Sequence, residues 1–216
     1  LDIDPQRAAT AKAEIEALGR RAHALVADVA DADAVRRAVD EAVATLGRLD
    51  TVVNNAHTVL PGRVLSITEW DLEVVWSTGF LGAFNVAHAA RPHLRRGASI
   101  INVVSSVMLK QDTSGFALYA ATKTAIRSLT RTLAVEWGPD GVRVNALSPQ
   151  TTSPAWVSWS EANPIAAEII RGEIPLGYVG EAEADVGPVA VFLASDASRY
   201  MTGGLLLADG GRGHLR

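Results

Sequence analysis

Residues 98–106 read ASIINVVSS, and this stretch decides the fold class. Its first seven positions are mostly apolar and rich in β-branched side chains, whereas the last two are serines. Nearly continuous apolar character is typical of a strand that is covered on both faces, as in a parallel sheet between two helical layers. We therefore predict a buried parallel strand whose carboxyl end is marked by Ser105 and Ser106.

The alternation of strand and helix extends along the whole chain. Further strand-like stretches occupy residues 23–29, 49–55, 141–147 and 205–209, and Asp31 and Gly47 are typical of the start and end of an intervening helix. Residues 1–216 are predicted to form one α/β domain on a doubly wound, Rossmann-like parallel sheet. Ligands of such folds bind at the carboxyl ends of the strands. Polar residues stand at these ends: Asp28, Asn54, Asn55, Ser105, Ser106 and Ser148.

Composition excludes several classes of function. The chain has 216 residues, a net charge of -4 and no cysteine. This charge argues against nucleic acid or an anionic membrane as a partner, and the lack of cysteine excludes disulfides and thiolate chemistry. No apolar run approaches the roughly 20 residues that span a bilayer. We expect a cytoplasmic protein that acts on a small molecule and binds no metal.

Tyr119 and Lys123 form the leading candidate for catalysis. They are four residues apart in a helical pattern, so their side chains share one face. A nearby ammonium is expected to lower the pKa of the phenol, and a phenol tuned in this way suits acid–base chemistry on alcohols and ketones. Ser106 ends the preceding strand and is placed to bond a substrate oxygen. The alternative is that this spacing arises by chance and that the serine merely ends a strand.

Several other segments make the chain resemble the short-chain dehydrogenase/reductase family. They are NNA at 54–56, VRVNALSP at 142–149 and MTGGLLLADGG at 201–211, in the family's order around the Ser, Tyr and Lys. The resemblance runs from residue 1 to about residue 211. It implies that Tyr119 is the catalytic acid/base, that Lys123 lowers its pKa and holds the nicotinamide ribose, and that Ser106 positions the substrate oxygen.

The resemblance also implies an activity and an assembly. The expected enzyme is an oxidoreductase that acts on CH-OH groups and moves a hydride between NAD(H) and a secondary alcohol or ketone. Relatives are commonly dimers or tetramers, so we expect a homo-oligomer such as a homotetramer.

Asp2 is the residue that favours NAD over NADP. It follows what looks like the family's second strand, where a carboxylate would bond the adenosine ribose hydroxyls and repel a 2′-phosphate. The alternative for Asp2 is a second helix-capping acid.

Further cofactor contacts are carried over from the family pattern. The resemblance places Asp28 and Val29 at the adenine, Asn54 and Ala56 at the cofactor edge, and Pro149 and Thr152 at the carboxamide. Each has a structural alternative. Asp28 suits a solvated turn, Asn54 suits a hydrogen bond that supports the sheet, and the segment after Pro149 suits a plain turn.

The family's first strand and its Gly-rich turn, TGxxxGxG, do not occur in the 216 residues. That turn cradles the pyrophosphate of the cofactor. Because the strand is central in the family's sheet, we expect the sheet of this chain to be split. We considered a chain that is part of a longer protein, a truncated gene product, and a rearranged strand order in which residues 23–29 pair with residues 49–55. We favour the first.

Three single positions also depart from the family pattern. His57 replaces a glycine and is interpreted as a solvated loop residue, or else as one that lines the substrate pocket or obstructs the cofactor. Gly79 stands where a catalytic asparagine is expected when Gly82 is aligned with the family's glycine, so only a backbone role could survive there. Gln150 replaces a glycine and stiffens its loop.

Two other functions stay open at this point. One is a nucleotide-independent lyase similar to halohydrin dehalogenases, although those carry Arg at the position of Lys123. The other is a catalytically impaired remnant that acts as an oligomer partner, which the missing turn, His57 and Gly79 favour.

Overall fold

A four-stranded parallel sheet forms the centre of the protein in the computed structural model, which describes residues 1–109 and 115–213. Its strands lie in the order β1-β2-β3-β4 and are Leu49–Asn54, Leu94–Val103, Arg143–Pro149 and Leu205–Ala208. The helices α1 to α8 are Pro5–Ala17, Ala32–Leu46, Glu69–Trp76, Gly82–Ala90, Ala117–Trp137, Pro154–Ala162, Pro164–Gly172 and Gly187–Ala194. The predicted α/β class is confirmed.

Alternate side chains of the central strands enter two helical layers. Ile100 packs with Ala87 of α4 and Leu133 of α5 on one face. Ile101 packs with Leu193 of α8 on the other face. Both isoleucines are fully buried. This two-sided burial explains why five of the seven residues 98–104 are apolar.

Residues 23–29 do not form the predicted strand. Within the described residues their β-pairing consists of one parallel bridge between Val26 and Asp2. In the sheet, the one neighbour of β1 is β2, so the rearranged order in which residues 23–29 pair with β1 is wrong. The side chains of Val26 and Val53 are 58% and 52% exposed. The bridged segment is therefore separate from the sheet, which is the split that we expected.

The segment after Pro149 contains a helix where the sequence favours a loop. Ser153 caps α6 by accepting a hydrogen bond from the Trp156 N–H at 3.1 Å. The rings of Trp156 and Trp159 lie 5.4 Å apart on this short helix. Across the described ranges, no helix combines the length and apolar character that a bilayer span requires.

A π-helical turn, Ser77–Leu81, joins α3 to α4. Such turns widen a helix locally and often occur at functional sites. Gly82 directly follows it, and a Cβ added at Gly82 would stand 2.7 Å from Val29 Cγ2. The glycine therefore lets α4 approach the turn at Val29.

We predict that Gly82→Ala lowers the free energy of unfolding by about 1–3 kcal/mol, because the methyl group overpacks against Val29. Urea unfolding of both proteins measures the loss. Gly138→Ala is the matched control, since a Cβ there meets nothing within 4 Å, and it should stay close to wild type. An unchanged stability of Gly82→Ala would contradict the close approach of Val29.

Candidate active site

Tyr119 and Lys123 come together at the carboxyl end of β2. Both lie in the first two turns of α5, which begins at Ala117. The Lys123 ammonium lies 5.5 Å from the centroid of the Tyr119 ring and donates a hydrogen bond to the Val103 carbonyl at 2.8 Å. Val103 is the last residue of β2. The strand end therefore holds the lysine, and the helix presents the tyrosine beside it.

Two adjacent serines follow β2, and they have different surroundings. The Ser105 side chain is near enough to the Tyr119 hydroxyl to lower its pKa. Ser106 is only 5% exposed, and its Cβ would lie 2.9 Å from a Cβ added at Gly213. Successive residues at a strand end point in opposite directions, and a 3₁₀ turn begins at Ser106. The predicted role of Ser106, to position the substrate oxygen, stays a prediction.

Burial controls the proton affinities of the pair. It raises the pKa of Tyr119, and the nearby Ser105 side chain lowers that pKa in part. The net shift is upward because burial is its largest cause, so the predicted net lowering of the Tyr119 pKa is wrong for this structure. Burial also lowers the pKa of Lys123 to about 8. Tyr119 is accordingly a protonated phenol at neutral pH, beside an ammonium that gives up its proton more readily than an exposed lysine.

His57 and Gly79 form a single feature of the site. The imidazole ring lies 4.9 Å from the Tyr119 ring, centroid to centroid, at a tilt of 60°. A Cβ added at Gly79 would overlap the His57 ring and come within 2.5 Å of Thr122 Cγ2. The imidazole therefore occupies the space that a side chain at position 79 would need. Sequence reasoning treated these two departures separately, because nothing in the sequence indicates that they touch.

His57 is partly buried with its polar ring atoms turned away from solvent, so its interpretation as a solvated loop residue is wrong. Both ring nitrogens are shielded from solvent and have no hydrogen-bond partner among the described residues. Burial, assisted by the nearby charge of Lys123, lowers the pKa of His57 to about 3. The ring is neutral at physiological pH.

Asn54 supports the sheet, which is the alternative that the sequence left open. Its Nδ2 donates to Asn102 Oδ1 at 2.8 Å and to the Ala83 carbonyl at 3.4 Å. The amide hydrogens are thereby engaged within the protein. Its contact with a cofactor, and that of the exposed Ala56, stay predictions.

The turn at Asp28 and Val29 is fixed against α4. Asp28 Oδ1 accepts a hydrogen bond from the Ala30 N–H at 2.9 Å. Asn85 Nδ2 donates to the Val29 carbonyl at 2.9 Å. The Asp28 carboxylate therefore orders its own turn, in agreement with the structural alternative, and its contact with adenine stays a prediction.

The predicted carboxamide loop is held by neighbouring side chains. Pro149 ends β3 in register with Ala208. The Thr152 hydroxyl donates to Glu181 Oε2 at 2.8 Å. Arg212 donates to Gln150 Oε1 at 2.8 Å, so Gln150 stiffens this loop by a specific contact. The bond to Glu181 uses the hydroxyl hydrogen of Thr152, so only the other polar atoms of Thr152 are left to contact a carboxamide.

The donors at this edge fit a nicotinamide nucleotide. An ammonium has three N–H donors, and in the described ranges Lys123 uses one of them, toward the Val103 carbonyl. The other two suit ribose hydroxyls beside Tyr119. The half-buried Asp2 uses Oδ1 to accept from the Asp4 N–H at 2.9 Å, which leaves Oδ2 for a ligand. No group of three or more His, Asp or Glu side chains in the described residues has the arrangement of a metal site.

We predict that His57 makes the fold acid-sensitive. The unfolded imidazole takes up a proton near pH 6.5, whereas the folded one does so only near pH 3, so acid favours the unfolded chain and stability falls as pH drops below 6.5. Between pH 7 and pH 5 the variant His57→Leu should lose about 1 kcal/mol less stability than wild type, after allowance for partial solvent screening. Urea unfolding at both pH values measures this.

The control for this experiment is His88→Leu, which removes an exposed imidazole that stacks on Phe84. It should leave the acid sensitivity of the wild type in place. An identical pH dependence in wild type and His57→Leu would show that the imidazole is not buried in solution.

Comparison with known proteins gives one consistent result. The sequence model of the family described as Enoyl-(Acyl carrier protein) reductase matches residues 1–212. The 3-oxoacyl-[acyl-carrier-protein] reductase of Thermotoga maritima is 34% identical over 213 residues, which are 97% of this chain and 85% of that protein.

Solved structures agree with the sequence matches. A short chain dehydrogenase from Burkholderia cenocepacia, in complex with NADP, superimposes with a TM-score of 0.88 at 33% identity, covering 98% of this chain and 85% of that one. A gluconate 5-dehydrogenase from the same organism, in complex with NADP and tartrate, has a TM-score of 0.86 at 30% identity, with 98% and 84% covered. The sheet, the Tyr119 and Lys123 pair and these matches together show that the chain belongs to the short-chain dehydrogenase/reductase family.

Proposed function

We propose that this oxidoreductase transfers a hydride between NAD(H) and a secondary alcohol or ketone carbon, with Tyr119 as the acid/base. The observation that carries the proposal is the Tyr119 side chain, whose ring lies 5.5 Å from the ammonium of the buried Lys123, one helical turn away. These groups lie where the strands of a parallel sheet end, which is the ligand-binding edge of such folds.

The residues have separate roles in ketone reduction. Tyr119 donates its phenolic proton to the carbonyl oxygen, and the serine hydroxyl holds that oxygen in place. The Lys123 charge, 5.5 Å from the ring, stabilises the phenolate that remains. A bound nicotinamide supplies the hydride to the carbonyl carbon. In alcohol oxidation the phenolate takes the hydroxyl proton back.

Asp2 supports NAD as the preferred nucleotide. The two solved relatives described above are complexes with NADP, so family membership does not select between the nucleotides. The carboxylate of Asp2 would bond ribose hydroxyls and repel a 2′-phosphate. A parallel β-bridge joins Asp2 to Val26 and holds Asp2 in one position.

A homo-oligomer, dimer or tetramer, is part of the proposal. Large apolar side chains are exposed on α3 and α4, with Trp70 62%, Leu72 53% and Phe84 44% exposed. Exposed apolar side chains on neighbouring helices are typical of a contact surface. A second copy of the chain is the partner that family membership favours.

We predict that Tyr119→Phe lowers kcat by about 10²- to 10⁴-fold, because it removes the proton that the reaction needs while leaving the ring in place. Turnover is followed by NADH absorbance on a panel of secondary alcohols and ketones. Circular dichroism checks that the variant is folded. Full activity of Tyr119→Phe would exclude this mechanism.

The two serines provide a matched comparison within this experiment. Ser106→Ala should lower kcat, because the Ser106 hydroxyl is proposed to position the substrate oxygen. A loss confined to Ser105→Ala would reject that role for Ser106 and assign it to Ser105, whose side chain is near the Tyr119 hydroxyl.

We predict that Asp2→Ser shifts nucleotide preference toward NADPH by about tenfold, since a charged hydrogen bond to the ribose is lost together with the repulsion of a 2′-phosphate. Energy transfer from the five Trp residues to bound NADH or NADPH measures both affinities. Asp33→Ser removes the same charge from an exposed position in α2 and should change neither affinity. An unchanged preference in Asp2→Ser would reject Asp2 as the selector.

A further inference from the structure

The buried imidazole of His57 lacks a hydrogen-bond partner at the point where the chemistry is proposed. Neither ring nitrogen is paired within the described residues, although the ring lies 4.9 Å from that of Tyr119. Buried polar groups in folded proteins are almost always paired, and each exception needs an explanation. The working state of the protein must therefore supply a partner for this ring.

Two side chains near the imidazole bond other groups of the protein. Thr122 turns its methyl group toward Gly79 and donates its hydroxyl hydrogen to the Leu118 carbonyl at 3.0 Å. Lys123 directs its ammonium to the Val103 carbonyl at 2.8 Å. Among the described residues the imidazole therefore has no partner, and its two nitrogens are left for a bound molecule.

The position of the ring indicates what that partner is. The imidazole fills the space beside Gly79 and lies against the face of Tyr119. The 4.9 Å between the two ring centroids is short enough for one small substrate to reach both side chains. Because both ring nitrogens are shielded, the ring would have to turn about its side-chain torsions to bond such a substrate.

Building on the proposed function, we propose that His57 determines substrate specificity by hydrogen-bonding an oxygen on the carbon adjacent to the reacting carbon. The preferred substrates are then vicinal diols and α-hydroxyketones rather than simple secondary alcohols. A neutral imidazole has one donor and one acceptor, which matches a hydroxyl group. Burial keeps the ring in this neutral form, because the pKa of His57 is lowered to about 3.

The test compares 2,3-butanediol with 2-butanol, which share a carbon skeleton and differ in the adjacent hydroxyl. We expect wild type to prefer the diol by at least about tenfold in kcat/KM, because the simple alcohol leaves the imidazole unpaired. His57→Leu should reduce this preference to about twofold or less. His57→Gln, which keeps a donor and an acceptor, should restore part of it.

Gly79→Ala tests the contact between His57 and Gly79 by changing the glycine instead of the histidine. The added methyl group would overlap the imidazole and displace it, so this variant should lose the preference for the diol as His57→Leu does. Because both changes remove one interaction, the double variant should lose no more than either single variant. His88→Leu, at an exposed ring, should keep the wild-type preference.

The outcomes separate this inference from the proposed function. Turnover of both alcohols without discrimination, or a preference that survives in His57→Leu, overturns the role of His57 and leaves the oxidoreductase proposal standing. Weaker NADH binding in His57→Leu with an unchanged substrate preference assigns the ring to the cofactor and overturns the inference as well. No turnover of any alcohol or ketone with NAD or NADP rejects the proposed function, and the inference with it.

Discussion

A buried chain of side-chain hydrogen bonds holds the site together. Asn102 is fully buried in β2, accepts a hydrogen bond from Asn54 of β1 at 2.8 Å and donates one to Thr130 of α5 at 2.9 Å. Leaving any of these groups unpaired in the interior would cost about 1–3 kcal/mol. The chain therefore fixes α5 relative to the strand ends. The hydrogen bond from Lys123 to the Val103 carbonyl also attaches α5 to the end of β2, beside Tyr119.

The charge state of the site follows from this burial. The pKa of Lys123 is lowered to about 8 and that of His57 to about 3, while the pKa of Tyr119 is raised. Every one of these shifts favours the uncharged form of its group, because the low-dielectric interior disfavours charge. Hydrogen bonds are stronger in such surroundings, so a substrate oxygen that enters is bound firmly. These pKa shifts result from the packing of α5 against the sheet more than from a single charged neighbour.

Local patterns in the sequence predicted much of this structure. The helix from Asp31 to Gly47 depends on side-chain and backbone geometry within a few residues, and both caps form as expected. The spacing of Tyr119 and Lys123 likewise depends only on helical periodicity. Pairing of residues 23–29 was predicted wrongly, because a strand needs partners that lie far away in sequence. Pattern alone does not distinguish the two adjacent serines, because the strand gives way to a 3₁₀ turn that begins at Ser106.

His57 and Gly79 show why comparison position by position misjudges a site. Taken alone, each departure from the family pattern suggests lost function, because one adds bulk beside Tyr119 and the other removes a polar side chain. In the folded protein the two changes offset each other, as the ring takes the space that the glycine leaves open. The imidazole beside Tyr119 is carried by the loop after β1, and the glycine that it contacts lies in the π-helical turn. A change of this kind alters the hydrogen bonds that a substrate meets and leaves the proton donor in place, so it fits a shift in specificity better than a loss of catalysis.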